Sequence, residues 1–349
     1  MVPPSFIPVL TVPTPILKND TRRFLFMNLK SLVFLLLCFC LVLACGTALG
    51  ENVTLSVGGQ TFSVSPDVTE ADLGEMKLPD TDEAYAALED FLQQLPTLTR
   101  LDMFSTDIPV DRVLYLGEKY PQIRFGWTIL IPCRNTERKD RPPHRLRTDQ
   151  TAFSTQHNLS CTSHGQDVWE ILKYCPDLLA LDLGHNNSID DLSFLKYCPN
   201  LRVLIISFNL WQRGEKKPYV DISPIGEMKD LEYLEICKSN VADITPLANC
   251  TKLVDLNIST SYIKDLSPLS GLKSLRRLYL YGCDGTGKPI DKNKVRELQE
   301  QLPDCVINNT HVNCGGQWRH HHRYNTLAHM FSYQLLDKPQ AYEPFDNLD

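Results

Sequence analysis

The chain carries no GxSxG nucleophile elbow and no HExxH zinc helix, which removes two large hydrolase classes. No CxxC pair occurs, so metal binding through paired thiolates is not expected. Positive charge is not in excess: 35 Lys and Arg stand against 42 Asp and Glu, net −7. An acidic chain of this kind repels a nucleic-acid backbone, and no nucleic-acid partner is expected. Long hydrophobic runs are missing too. The run from Leu32 to Ala44 has 13 residues, whereas a membrane-spanning helix needs about 20. Of 349 residues, 43% are apolar and 22% charged, enough to bury a long core.

What is present is repetition. LEYLEICKSNVADITPL from Leu231 returns 22 residues later as LVDLNISTSYIKDLSPL from Leu253. Leu231, Leu234 and Ile236 thereby align with Leu253, Leu256 and Ile258, in L-x-x-L-x-L spacing. Leu178, Leu181 and Leu183 keep the same register upstream, as do Leu201, Leu204 and Ile206; Leu275, Leu278 and Leu280 keep it downstream. Other columns repeat with them. Asp221, Asp243 and Asp265 share one position, Ile222, Ile244 and Leu266 the next, and Pro224, Pro246 and Pro268 a third.

Each column has a physical task. The L-x-L segment is a strand whose leucines point inward, because alternate residues of a strand face opposite sides. One such unit is too thin to bury its apolar face, so neighbours must stack and stability resides in their interfaces. Asn209, Ser239, Ser261 and Cys283 follow the strand where a small polar side chain bonds the turn. The aspartates cap an outer turn and the prolines fit one with few free amide donors. One carboxylate per turn is too few for a calcium cage.

The pattern L-x-x-L-x-L-x-x-[N/S]-x-[I/V]-x-D-[I/L]-x-P-L resembles the bacterial internalin-type leucine-rich repeat, over Leu178 to Gly282. The resemblance implies an α/β solenoid: a leucine-rich repeat horseshoe with parallel strands on the concave face, irregular amino-terminal units and a carboxy-terminal helical cap. It also implies a surface or secreted protein that binds a protein or peptide ligand on that face, without catalysis and without a cofactor. The chain departs from internalins in lacking an LPxTG sorting signal.

Organisation follows from these patterns. Residues 1–49 read as a leader, 50–66 as a hairpin cap around Gly58-Gly59, and 67–164 as irregular repeat-like units. Residues 165–290 form the regular array, and 291–349 a cap and tail. Lys30 and the apolar run suit an export signal, with Met27 a plausible working start. The run ends Val42-Leu43-Ala44-Cys45-Gly46, which resembles a lipobox with Cys45 as the acylated residue. Cleavage after Ala48 or Gly50, or an uncleaved anchor, are the other readings. The expected membrane attachment is through this end alone.

Nine of the 12 cysteines lie beyond the leader, an odd number. Cys175, Cys198 and Cys250 fall three residues before a repeat's first leucine, a core column where cysteine acts as a small hydrophobe. Cys133, Cys161 and Cys314 are the better disulfide candidates. Arg134 to Arg147 is charged and proline-interrupted, so an exposed loop is expected. GCDGTGK at Gly282 to Lys288 imitates a phosphate loop, but Pro289 replaces the magnesium-holding hydroxyl. His320, His321 and His322 offer the one metal-binding alternative, and Arg319 and Arg323 beside them disfavour a cation. The tail's apolar points, Trp318, Tyr324, Leu327 and Phe331, suit a cover for the last repeat.

Strand alternation then names a candidate surface. If Leu181 and Leu183 face inward, the opposite ladder holds Asp182, Tyr233, Glu235, Asp255, Asn257, Arg277, Tyr279 and Tyr281, acidic in the middle and aromatic and basic at the carboxy-terminal edge. Tyr and Arg are enriched at binding hot spots, so the expected ligand contacts are Tyr233, Arg277, Tyr279 and Tyr281, with Glu235, Asp255 and Asn257 beside them. An eight-residue insertion after Asn209 carries Trp211 and Arg213, a second expected contact point. An enzyme or metal protein working through the His-rich tail, or a purely structural envelope protein, are the alternatives.

Overall fold

The structure, a computed structural model, describes residues 51–131, 143–155, 166–186, 189–208, 219–310, 317–331 and 342–343. The leader with Cys45, the insertion with Trp211 and Arg213, and Cys133, Cys161 and Cys314 lie outside those residues.

The first described element is an antiparallel hairpin, β1 (Val53–Val57) and β2 (Gln60–Val64). It turns on Gly58 and Gly59, both at positive φ, as a two-residue hairpin loop requires. Val53, Leu55 and Val57 point into the core. Three short strands follow in one parallel sheet, β3 (Glu70–Asp72), β4 (Arg100–Asp102) and β5 (Arg124–Gly126). Between them lie α1 (Asp82–Gln93) and α2 (Val110–Lys119). The α1 start is fixed by Thr81, whose hydroxyl accepts the Ala84 N–H at 3.3 Å, and by Asp82 and Glu83 in its first turn.

A second hairpin, β6 (Thr128–Ile131) with β7 (His144–Arg147), separates this sheet from the next. The last four residues of the expected charged loop are thus a strand. His144 and Leu146 point inward while Arg145 and Arg147 pair with Asp107 and Asp149, so a period of two runs beneath the charge.

The main sheet has seven parallel strands in chain order: β8 (Ala152–Ser154), β9 (Ala180–Asp182), β10 (Val203–Ile205), β11 (Tyr233–Glu235), β12 (Asp255–Asn257), β13 (Arg277–Tyr279) and β14 (Val306–Asn308). Its register carries the leucine spine: Leu181, Leu204, Leu234, Leu256 and Leu278 pair strand to strand, continuing to Phe153 at one end and Ile307 at the other. The leucines are fully buried, each worth about 1.5–3 kcal/mol of apolar burial. The chain is a leucine-rich repeat solenoid.

Each coil closes by two recurring devices. At the strand exit His185, Phe208, Lys238, Thr260 and Gly282 all take positive φ, between 53° and 63°; only Gly282 adopts that conformation without a Cβ penalty. On the outer side Asp191, Asp221, Asp243 and Asp265 each accept the backbone N–H two residues on, at 2.8 to 2.9 Å. Short helical turns follow, and they pack closely: a Cβ on Gly226 would come within 2.8 Å of the Pro246 carbonyl oxygen. Cys175, Cys198, Cys250, Cys283 and Cys305 are free and buried. The array ends under α3 (Lys292–Gln301), capped by Asp291.

Candidate functional site

The face of the main sheet opposite the leucine spine has two rows. From β8 to β13 the first reads Ala152, Ala180, Val203, Tyr233, Asp255, Arg277 and the second Ser154, Asp182, Ile205, Glu235, Asn257, Tyr279. The β8–β10 part is largely apolar, and β11–β13 carries charges and rings. This strand face is covered. A tail segment, a 3-10 turn at Gln317–His320 followed by α4 (His322–Met330), lies across it. The sequence placed that segment over the end of the last repeat. It packs on the face of β8–β13 instead, where its apolar points find apolar strand residues and its arginines find carboxylates.

Over the charged half, Trp318 is fully buried and touches Tyr233 and Tyr279, with ring centroids 5.5 and 5.0 Å away. The Arg277 guanidinium lies 3.8 Å from its ring centroid, a cation–π contact in a site shielded from water. The Trp318 indole N–H donates to Glu235 Oε2 at 2.9 Å, Arg319 donates to Glu235 Oε1 at 3.0 Å, and the Tyr233 hydroxyl donates to Oε2 at 3.1 Å. Glu235, 0% exposed, is therefore satisfied on both oxygens. Asp255 is held between two arginines: Arg323 binds it bidentately at 2.7 and 3.0 Å, and Arg277 Nη2 donates to it at 2.8 Å. Arg277 Nη1 donates in turn to the Trp318 carbonyl at 2.7 Å. Burial pushes the Asp255 pKa up, but the hydrogen bonds and charges of Arg323 and Arg277 outweigh it and hold the carboxyl below its ordinary range.

Over the apolar half, Leu327, Met330 and Phe331 form one buried cluster with Ala152, Ala180, Val203 and Ile205. Arg323, Leu327 and Met330 are spaced i, i+4, i+7, which puts all three on one face of α4. Further along, the Tyr342 N–H donates to Thr151 Oγ1 at 2.7 Å and Arg202 lies over the Tyr342 ring at 5.0 Å. Beside the charged half, Asp182 is pushed up to about 6 by burial, against the lowering effect of the Gly184 N–H and the Arg319 charge. His321 caps α4, its Nδ1 accepting the Arg323 N–H at 3.3 Å. Burial, then the charges of Arg277 and Arg323, bring its pKa down to about 4.

The structure thus gathers Tyr233, Glu235, Asp255, Arg277 and Tyr279 around one indole and two tail arginines. Asn257 sits beside them, buried, its Oδ1 accepting the Ser259 N–H at 3.1 Å. Tyr281 stands at the rim, its hydroxyl donating to the Gly287 carbonyl at 2.8 Å. That carbonyl belongs to the glycine-rich turn that imitates a phosphate loop. Cys237, one position along the face from Glu235, is disulfide-bonded. Trp318, Arg319, Arg323 and the apolar side of α4 are the parts of the site that the repeat pattern does not reveal. The available signal was charge complementarity between an acidic ladder and a basic, tryptophan-bearing tail.

Among the described residues no group of three or more His, Cys, Asp or Glu is placed to hold a metal ion, and no helix is long and apolar enough to cross a membrane.

No protein-family model matches the chain, and no curated protein is similar to it in sequence. Solved structures similar to it include internalin C2 of Listeria monocytogenes, at 22% identity over 39% of this chain and 62% of that one, TM-score 0.31. Internalin F of Listeria monocytogenes matches at 18% identity over 72% and 71%, TM-score 0.36, and a leucine-rich repeat protein of Leptospira interrogans at 18% over 63% and 56%, TM-score 0.35. The match to internalin C2 therefore spans less than two thirds of that protein. What identifies the chain is its own geometry: a seven-strand parallel ladder whose five middle strands stack one leucine each in a single inward column, the architecture of a leucine-rich repeat solenoid.

Proposed function

We infer that the protein is an exported, non-catalytic recognition module that engages a protein or peptide partner across its strand face. One observation carries this reading: the face already holds a peptide segment through directed hydrogen bonds, ion pairs and ring contacts from Tyr233, Glu235, Asp255, Arg277 and Tyr279. Tyr and Arg anchors backed by desolvated charge are the chemistry of interface hot spots. The Cys45 leader supports delivery outside the cell with a lipid as the only membrane attachment. Trp211 and Arg213 on the insertion are further proposed contacts.

The test is a displayed random-peptide library panned against the purified full chain. Selected peptides should lose binding to the Arg277→Ala, Tyr279→Ala double variant while its far-UV circular dichroism stays native; peptides that bind the variant equally well would move the partner off this face. Mass spectrometry of the native amino terminus tests the leader, and a diacylglyceryl Cys45 is the expected result. The rival reading, metal chemistry at His320 to His322, meets a hostile site, since His321 faces Arg277 and Arg323. Stoichiometric zinc or nickel in the purified protein would support that rival.

A further inference from the structure

On the charged half of the strand face, Arg277 comes from the sheet, and Arg319 and Arg323 come from the tail. Beneath them stand three carboxylates, Asp182, Glu235 and Asp255, each at most 4% exposed. Removing the tail leaves Glu235 without its arginine and its indole N–H, and leaves Asp255 with one guanidinium in place of two. Buried carboxylates stripped of partners are strongly unfavourable, so whatever replaces the tail must bring cations back. A neutral or acidic segment is rejected by the same charges.

The shape of the face adds to the charge. Tyr233, Tyr279 and Arg277 line a slot filled by one indole. Ala152, Ala180, Val203 and Ile205 accept aliphatic and aromatic side chains from a helix. Among the described residues the tail adds no strand to the seven-strand ladder, so Gln317 to Phe331 can leave without breaking sheet hydrogen bonds. It also leaves polar atoms of the face unserved: Asn257 Nδ2 and Ser259 Oγ are buried with no hydrogen-bond partner among the described residues. A foreign segment that reaches these two groups gains interactions that the tail does not make.

Resting on the reading that this face is the docking surface, we propose that it is a receptor for a cationic, tryptophan-bearing helix of a foreign protein, in the pattern W-R-x3-R-x3-L-x2-apolar-apolar, and that the chain's own Trp318 to Phe331 is the resident competitor. The tail then sets the threshold for binding. A partner engages only the undocked fraction of molecules, so its apparent affinity falls by that fraction.

The experiment uses the full chain and, as probe, a fluorescein-labelled synthetic peptide of residues 317–331, read by anisotropy. The Trp318→Ala, Arg323→Ala variant should bind the probe at least about tenfold more tightly than the unaltered chain, because a tethered tail competes at an effective concentration near the millimolar range. Adding Asp255→Asn should weaken that binding roughly thirtyfold or more, as expected for removing one partner of a buried charge pair. Equal affinity for variant and unaltered chain, or indifference to Asp255→Asn, overturns the proposal.

If the tail variant does not fold, native-state hydrogen exchange on the unaltered chain decides. With unlabelled peptide added, the α4 amides should exchange faster while β11–β13 stay protected; α4 amides that open only together with the sheet at every peptide concentration would make the tail a permanent cover and end the idea. A random-peptide library panned on the tail variant separates the two levels. Face-dependent peptides lacking the Trp-Arg pattern refute the partner chemistry alone, whereas no face-dependent peptide at all refutes the docking surface. A dimer of the unaltered chain that the probe dissociates would assign the pattern to a second copy and overturn the foreign partner.

Discussion

On the outer turns, Asp221, Asp243 and Asp265 occupy one column, exposed, each bonded to the turn that follows it and each held below the ordinary carboxylate range by those local bonds. On the strand face, Asp182 and Asp255 are buried, sit in no repeating column of acids, and take partners from beyond their own turn: Asp182 adds the Ser154 hydroxyl of the next strand to its local Gly184 N–H, and Asp255 takes Arg323, 68 residues away. The same side chain caps architecture in one region and recognises another segment in the other. In a stacked coil, positions that repeat hold the coil together, and positions that break the repeat carry individuality. Ala180, Val203, Tyr233, Asp255 and Arg277 share one structural column and have little chemistry in common.

The sharpest way to break this contrast is Asp255→Ala. It leaves Arg277 and Arg323 buried without their carboxylate, and loss of one partner from a buried pair costs about 3–5 kcal/mol. The loss should fall on tail docking, seen as faster hydrogen exchange in α4 with β12 still protected; uniform destabilisation of the sheet would mean that the tail and the coil are one cooperative unit. Next comes Leu256→Ala in the spine, with an expected loss of ~2–5 kcal/mol in urea unfolding as a core truncation. A neutral result there would discredit the stacking register. On the outer face Asp243→Ala should cost only about 0.5–1 kcal/mol, since the cap is local and solvent-screened. A larger loss in urea unfolding would show the outer column to be more than a turn cap.

The smallest effect is pH dependence. His321 has its pKa lowered to about 4 when docked, against about 6.5 for a free imidazole. Docking favours the neutral ring, so its contribution is complete above about pH 6.5 and is lost as pH falls towards 4. Asp255, held low, acts in the same direction at still lower pH, while Asp182, raised to about 6, opposes both because its neutral form suits burial. The Trp318 indole resonance should therefore move towards its undocked position on acidification from pH 6.5, and His321→Asn, which keeps a capping acceptor, should flatten that response. Tightening in place of loosening would show that Asp182 dominates.

Much of the coil is legible in the amino-acid order because its contacts are near neighbours. Leu234, Leu256 and Leu278 announce their pairing by spacing, and Asp243 announces its cap two residues ahead of Thr245. The identities of the ladder residues on the strand face follow from alternation alone. β8 was not legible, since Ala152-Phe153-Ser154 has no leucine in the register and its next strand lies 26 residues on. β7 was masked by charge. The tail's destination was the largest omission, and the reason is separation: Trp318 meets Glu235 across 83 residues and Arg323 meets Asp255 across 68. No periodicity records such a pairing. It is written only as complementary chemistry, basic and aromatic in one stretch and acidic in another.

That separation also orders events in time. Synthesis delivers β11 to β13 before it delivers Trp318, and neighbouring coils can zip together on short loops, whereas the tail must close a long one. A newborn molecule therefore passes through an interval with its acidic ladder bare to the surroundings, and acquires its guard only at the end of folding.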